Sequence, residues 1–102
     1  MRVVRQRDWV KYLPDDFTIY FSLKTLLGQV VSFSVVLIKN DECISRYDTA
    51  HGFAHRDILG RKSPSPIAKE LYDHMTLKEV FNHADEDFSE NYAAHHEYYG
   101  SH

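Results

Sequence analysis

Between Arg46 and Asp57 the chain reads Arg-Tyr-Asp-Thr-Ala-His-Gly-Phe-Ala-His-Arg-Asp, with two arginines, two aspartates and two histidines around Gly52. These side chains suffice for metal-independent cleavage of RNA. Histidine changes charge near neutral pH and can take a proton from a 2′-hydroxyl or give one to a leaving oxygen. A guanidinium grips phosphate through two parallel hydrogen bonds. The candidate catalytic residues are therefore His51, His55, Arg46, Asp48, Arg56 and Asp57. No glycine-rich phosphate loop, nucleophile elbow or dinucleotide fingerprint accompanies them. The competing role is structural, since acid–base pairs across two strands contribute only roughly 0.2–1 kcal/mol each at a surface.

A β-hairpin would bring these groups together. Glycine accepts positive φ without cost, so His51-Gly52 can form a two-residue turn. Counting outward, Ala50 faces Phe53, Asp48 faces His55 and Arg46 faces Asp57. Side chains alternate along a strand, so Arg46, Asp48, His55 and Asp57 share one face, with Asp48 hydrogen-bonded to His55 and Arg46 paired with Asp57.

The preceding chain supplies the sheet for that hairpin. Phe17, Ile19, Phe21 and Leu23 alternate with Thr18, Tyr20, Ser22 and Lys24, as a half-buried strand requires. Val31 to Lys39 repeats the pattern, and a three-residue loop Leu27-Gly28-Gln29 sets Leu23 opposite Phe33, Phe21 opposite Val35 and Ile19 opposite Leu37. The next connection, Asn40-Asp41, leaves two registers open. A two-residue turn puts Arg46 and Asp48 on the core face beside Val35 and Phe33; a three-residue turn puts both on the other face. The hairpin's second arm runs from Phe53 to Leu59, and Arg61 to Pro66 is a proline-broken loop. Thr76-Leu77-Lys78-Glu79 is a capping box that starts a helix, along which Leu77, Val80, Phe81, Ala84, Phe88, Tyr92 and His95 recur at three- and four-residue spacing. Six acids against Lys78 alone from Thr76 onward give that helix a solvated acidic face.

The expected fold class is α+β: an antiparallel meander of four to five strands with one C-terminal amphipathic helix packed on one face. A length of 102 residues fits a single domain, 1–102. It comprises a basic N-terminal segment at 1–14, the meander at 17–59 and the helix at 76–97. Within 1–14, Trp9 is expected to pack on the sheet. The single Cys43 cannot form an internal disulfide, and no apolar run approaches a signal sequence or a membrane span, so the cytoplasm is expected and a membrane is not. His51 and His55 stand four apart near two aspartates, but that spacing crosses a turn and lacks a cysteine partner, so no metal and no other cofactor is expected.

The run Arg46-Tyr47-Asp48-x-Ala50-His51-Gly52 with His55 resembles a family of short prokaryotic proteins. It is similar to the TumE group of toxin–antitoxin proteins, whose members sit beside a small DNA-binding antitoxin. The resemblance covers residues 17–95 in layout and about a dozen residues in motif. It implies a toxin-like component of such a pair, acting on RNA, with an antitoxin protein as partner. It also implies a further strand after the hairpin, at Ile67 to Asp73. In this chain Arg56-Asp57 stands where that pattern has more histidines. A meander ends in two edge strands that invite pairing, so a homodimer is also expected. The alternative from the residues alone is a non-enzymatic binding or structural module.

Overall fold

The alternating run from Phe17 forms the strand its periodicity predicts. In the computed structural model, which describes residues 3–102, this is β2 (Phe17–Leu26). It follows β1 (Val4–Tyr12) and precedes β3 (Gln29–Lys39), β4 (Glu42–Asp48), β5 (His55–Ile58), β6 (Ala68–Leu71) and the helix α1 (Leu77–Ser101). The six strands form one antiparallel sheet in sequence order. The fold is thus the expected α+β meander with a helix on one face, but with six strands among the described residues instead of four or five. The additional strand is β1, within the basic N-terminal segment, where the sequence leaves a short strand or one helical turn open; Arg2 of that segment lies outside the described residues. The strand implied at Ile67 to Asp73 is β6.

One sheet face buries Phe17, Ile19, Phe21, Phe33, Val35, Leu37 and Tyr47 against Val80, Ala84 and Phe88 of α1. Trp9 stacks on Phe21 with ring centroids 5.0 Å apart, the packing role expected of it. The α1 capping box is complete: Thr76 Oγ1 accepts from Glu79 N, and the Glu79 carboxylate accepts from Thr76 N. The helix bends at Asn91 (φ −119°, ψ 19°) and continues past residue 97 to Ser101. Its last turn is docked. Arg61 N donates to Tyr99 O at 2.9 Å, giving a partner to a carbonyl that a helix end leaves unpaired, and Tyr99 Oη donates to Glu42. Among the described residues, no helix is long and apolar enough to cross a membrane.

The expected cross-strand pairs form, but two of the expected turns do not. Leu23 lies opposite Phe33, Phe21 opposite Val35 and Ile19 opposite Leu37. The connection is a two-residue turn, Leu27-Gly28, with positive φ at both residues, and a bulge at Lys24/Thr25 restores the register that a three-residue loop would give. The next hairpin combines both open alternatives in the same way. Asn40-Asp41 is a two-residue turn with φ of 51° and 64°, and a bulge between Leu37 and Ile38 shifts the pairing by one. Leu37 then faces Ser45, Val36 faces Arg46 and Ser34 faces Asp48. The bulge buries Ile44 and sends Arg46 and Asp48 to the sheet face away from α1, while Tyr47 enters the core.

Candidate functional site on the uncovered sheet face

The helix covers one face of the sheet only, and register fixes what the other face displays. One row across it reads Asp8, Ser22, Ser34, Asp48, His55 and Leu71 from β1 to β6; the next reads Val10, Tyr20, Val36, Arg46, Asp57 and Lys69. Asp48 pairs with His55 and Arg46 with Asp57, as expected, but not through a two-residue turn. A six-residue connection separates the strands and contains a 3-10 turn, Ala50–Gly52, with Gly52 at φ 86°. Ala50 and Phe53 are not a strand pair. Any connection centred between residues 51 and 52 gives the same pairing beyond it, so the register survives the longer loop. The Asp48 carboxylate helps shape that loop, because Oδ1 accepts from Ala50 N at 3.0 Å.

Four of the six candidate residues converge. Asp48 Oδ1 lies 3.0 Å from His55 Nε2, and Asp57 Oδ1 lies 3.6 Å from it. Arg46 Nε donates to Asp57 Oδ2 at 2.7 Å and stands 4.0 Å from Asp48 Oδ2. Arg46 and Asp48 reach solvent, with side chains 41% and 22% exposed, whereas His55 and Asp57 are buried. Phe53 packs on the His55 ring, and Phe53 O lies 3.3 Å from Nδ1. Burial works against the charge on Asp57, but the Arg46 hydrogen bond and charge outweigh it and hold the carboxyl below the usual carboxylate range. The same bond raises the guanidinium's own pKa. Beside Asp48, an open hollow of about 310 Å³ is lined by Ser22, Lys24, Ser32, Ser34, Thr49 and Ala50.

Arg56 does not join this cluster. It lies opposite Tyr47 and so faces α1, where its Nη1 donates to Ser45 Oγ at 3.2 Å and its Nε lies 3.4 Å from Glu70. It borders a cavity of about 200 Å³ together with Ile44, Ile58, Leu59, Ala94, His95 and Tyr98. His51 lies in the 3-10 turn, and its side chain is outside those described.

The helix side also holds a network that the sequence reading missed. Tyr47 Oη donates to Asp87 Oδ2 at 2.7 Å, His95 Nε2 lies 2.9 Å from the same oxygen, and Asn91 donates to Oδ1 at 2.9 Å. Burial would raise the Asp87 pKa, yet the hydrogen bonds from His95, Asn91 and Tyr47 hold it far below the usual range. Burial, reinforced by the Asp87 bond, pushes the Tyr47 hydroxyl far up. Asp87 was expected on a uniformly solvated acidic face. The available signal was its eight-residue spacing from His95, two turns along the helix, within reach of a tyrosine directed to the core.

Two comparisons, with curated proteins and with solved structures, find no match. The comparison with protein families does: residues 4–102 match the family described as a domain of unknown function, DUF7718. That match spans nearly the whole chain, and the protein belongs to this DUF7718 family.

Proposed function

We propose that the protein is the toxin-like component of a prokaryotic toxin–antitoxin pair, acting on RNA in the cytoplasm through the Arg46, Asp48, His55 and Asp57 cluster. The observation that carries this reading is the convergence of those four side chains on an uncovered face beside a hollow lined by hydroxyls and Lys24. Removing charged groups from water is costly, and a buried ion pair is seldom more stabilising than apolar packing of the same volume. Stability alone therefore gives little reason for the arrangement, whereas sites commonly contain such groups. Arg46 and Asp48 are the two that can touch a substrate: the guanidinium to hold a phosphate, the carboxylate to accept a hydroxyl proton. His55 and Asp57 position them. Tyr20 is half-exposed in the same row as Arg46, two strands away or about 10 Å, where a base can stack on it.

The partner of this reading, an antitoxin protein or a second copy, would pair along the free edge of β1, nine residues long and largely exposed. Controlled expression in a bacterial host tests the function. Growth arrest with loss of intact RNA, relieved by Arg46→Gln or Asp48→Asn at equal protein level, supports it; unimpaired growth on wild-type expression removes it.

One observation favours a second reading, a non-enzymatic binding module. His55 is only 1% exposed, so no substrate reaches it directly in this structure. In that case RNA binding without cleavage, weakened by Arg46→Gln, is the expected result.

A further inference from the structure

Among the described residues, Asp57 Oδ1 is a buried side-chain atom without a hydrogen-bond partner. His55 Nε2 and Lys69 Nζ are both 3.6 Å from it, beyond hydrogen-bonding distance. An unpaired buried carboxylate oxygen is costly and calls for an explanation. The arrangement of His55 supplies one. Its Nδ1 lies 3.3 Å from the carbonyl oxygen of Phe53 and its Nε2 3.0 Å from Asp48 Oδ1, both acceptors; with the ring's hydrogen on Nδ1, a lone pair on Nε2 is directed at the two carboxylates. That lone pair faces Asp48 Oδ1 at 3.0 Å and Asp57 Oδ1 at 3.6 Å. In that tautomer three acceptors face one another, and Asp48, His55 and Asp57 each offer a ligand atom within 4.8 Å of the other two. A cation among these atoms would offset their mutual repulsion.

We propose that Asp48 Oδ1, His55 Nε2 and Asp57 Oδ1 bind one divalent transition-metal ion. The two separations from His55 Nε2, 3.0 and 3.6 Å, fit, since bonds of about 2.0–2.2 Å place neighbouring ligand atoms roughly 3–3.6 Å apart in tetrahedral or octahedral coordination. An imidazole whose other N–H is fixed on a backbone carbonyl has the orientation typical of a metal-ligating histidine. Two carboxylates and one imidazole suit Zn²⁺, Mn²⁺ or Fe²⁺ better than Ca²⁺ or Mg²⁺, which favour all-oxygen sites. Arg46 occupies the other oxygen of Asp57, Oδ2, and leaves Oδ1 directed at the site. Lys69 is half-exposed and free to turn into solvent when the ion binds. Three protein ligands leave positions for water or a substrate oxygen on the side where Asp48 reaches solvent. The inference deepens the proposed function by naming a cofactor class for the same site, and it replaces the metal-free chemistry expected from residue types. A second proton on His55 is the competing occupant.

The test is titration of the metal-stripped full chain at pH 7.5 with Co²⁺, followed by visible absorption, and with Zn²⁺, followed by calorimetry and thermal melting. The account expects one equivalent of metal, ligand-field bands from the bound cobalt and a metal-dependent rise in Tm. In Asp48→Asn and His55→Gln, affinity should fall by at least about 100-fold, the upper range for loss of a supporting residue alone. Asp48→Asn alters a partly exposed side chain, and circular dichroism checks that it remains folded. Absence of binding up to millimolar metal overturns the proposal, as does binding of equal strength in both variants, which would place the metal on the other histidines. Metal binding and growth arrest are separate readouts. Arrest relieved by Asp48→Asn in a chain that binds no metal removes this inference alone, and metal binding by a harmless chain removes only the proposed function.

Discussion

Arg46 Nε donates to Asp57 Oδ2 at 2.7 Å across the β4–β5 pair, joining a guanidinium that reaches solvent to a carboxylate that does not. This pairing makes the cluster a unit. Removing the guanidinium leaves a buried charge with only the more distant Lys69 and His55 nearby. Arg46→Ala is expected to destabilise by about 1.5–3 kcal/mol, the usual range for a hydrogen bond to a charged group. Partial exposure places it toward the low end. Urea denaturation measures this directly, and a loss below about 0.5 kcal/mol would show that the pair does not hold Asp57.

The core makes a larger claim. Phe88 is fully buried between α1 and the sheet, with its ring centroid 5.1 Å from that of Tyr47. Phe88→Ala should cost about 3–5 kcal/mol, the range for a large core residue cut to alanine. A chemical denaturation curve showing less than about 1 kcal/mol would be inconsistent with this packing.

Asp87 contributes to the acid limb of the stability curve. Burial opposes its charge, but His95, Asn91 and Tyr47 overcome that opposition and depress its folded pKa. The contribution is complete above the unfolded carboxylate's pKa, about 3.9, and is lost as pH falls through the lower folded value. Asp87→Asn should therefore be less stable than wild type at neutral pH, and the gap should narrow below about pH 4. Parallel curves for the two proteins between pH 5 and pH 2 would rule out this role.

A turn offers a gain in stability. Leu27 is exposed at φ 52°, a left-handed conformation that disfavours a bulky side chain, and Gly28 follows at φ 77°. Asn-Gly is the preferred pair for such a turn. Leu27→Asn should raise stability by about 0.5–1 kcal/mol, well below the full left-handed penalty of about 1–2 kcal/mol. A lower Tm in the variant would contradict the turn assignment.

These elements show why parts of the fold were legible in the sequence. β2 and β3 have one buried face, so period-two alternation reveals them. β1 and β6 are edge strands whose residues are almost all exposed, and neither shows a hydrophobic period. Pairing with β5 makes Ala68–Leu71 a strand despite its helix-favouring composition. The bulges at Lys24/Thr25 and Leu37/Ile38 insert one residue each and leave no compositional trace, so the sequence alone does not fix which face Arg46 and Asp48 occupy. The cluster was legible because its pairing depends only on where the connection is centred. Its depth was not, because strand alternation does not show that His55 and Asp57, on the face away from α1, are buried.

In the proposed function, Asp48 acts through chemistry and not through stability. Its direct test is induced expression of wild-type protein and Asp48→Asn in the same bacterial host, with soluble level and Tm measured for both. Growth arrest by wild type and normal growth with the variant are expected, at matched levels and with the Tm of the metal-stripped proteins within a few degrees. Equal arrest by both proteins, or normal growth with both, would contradict it.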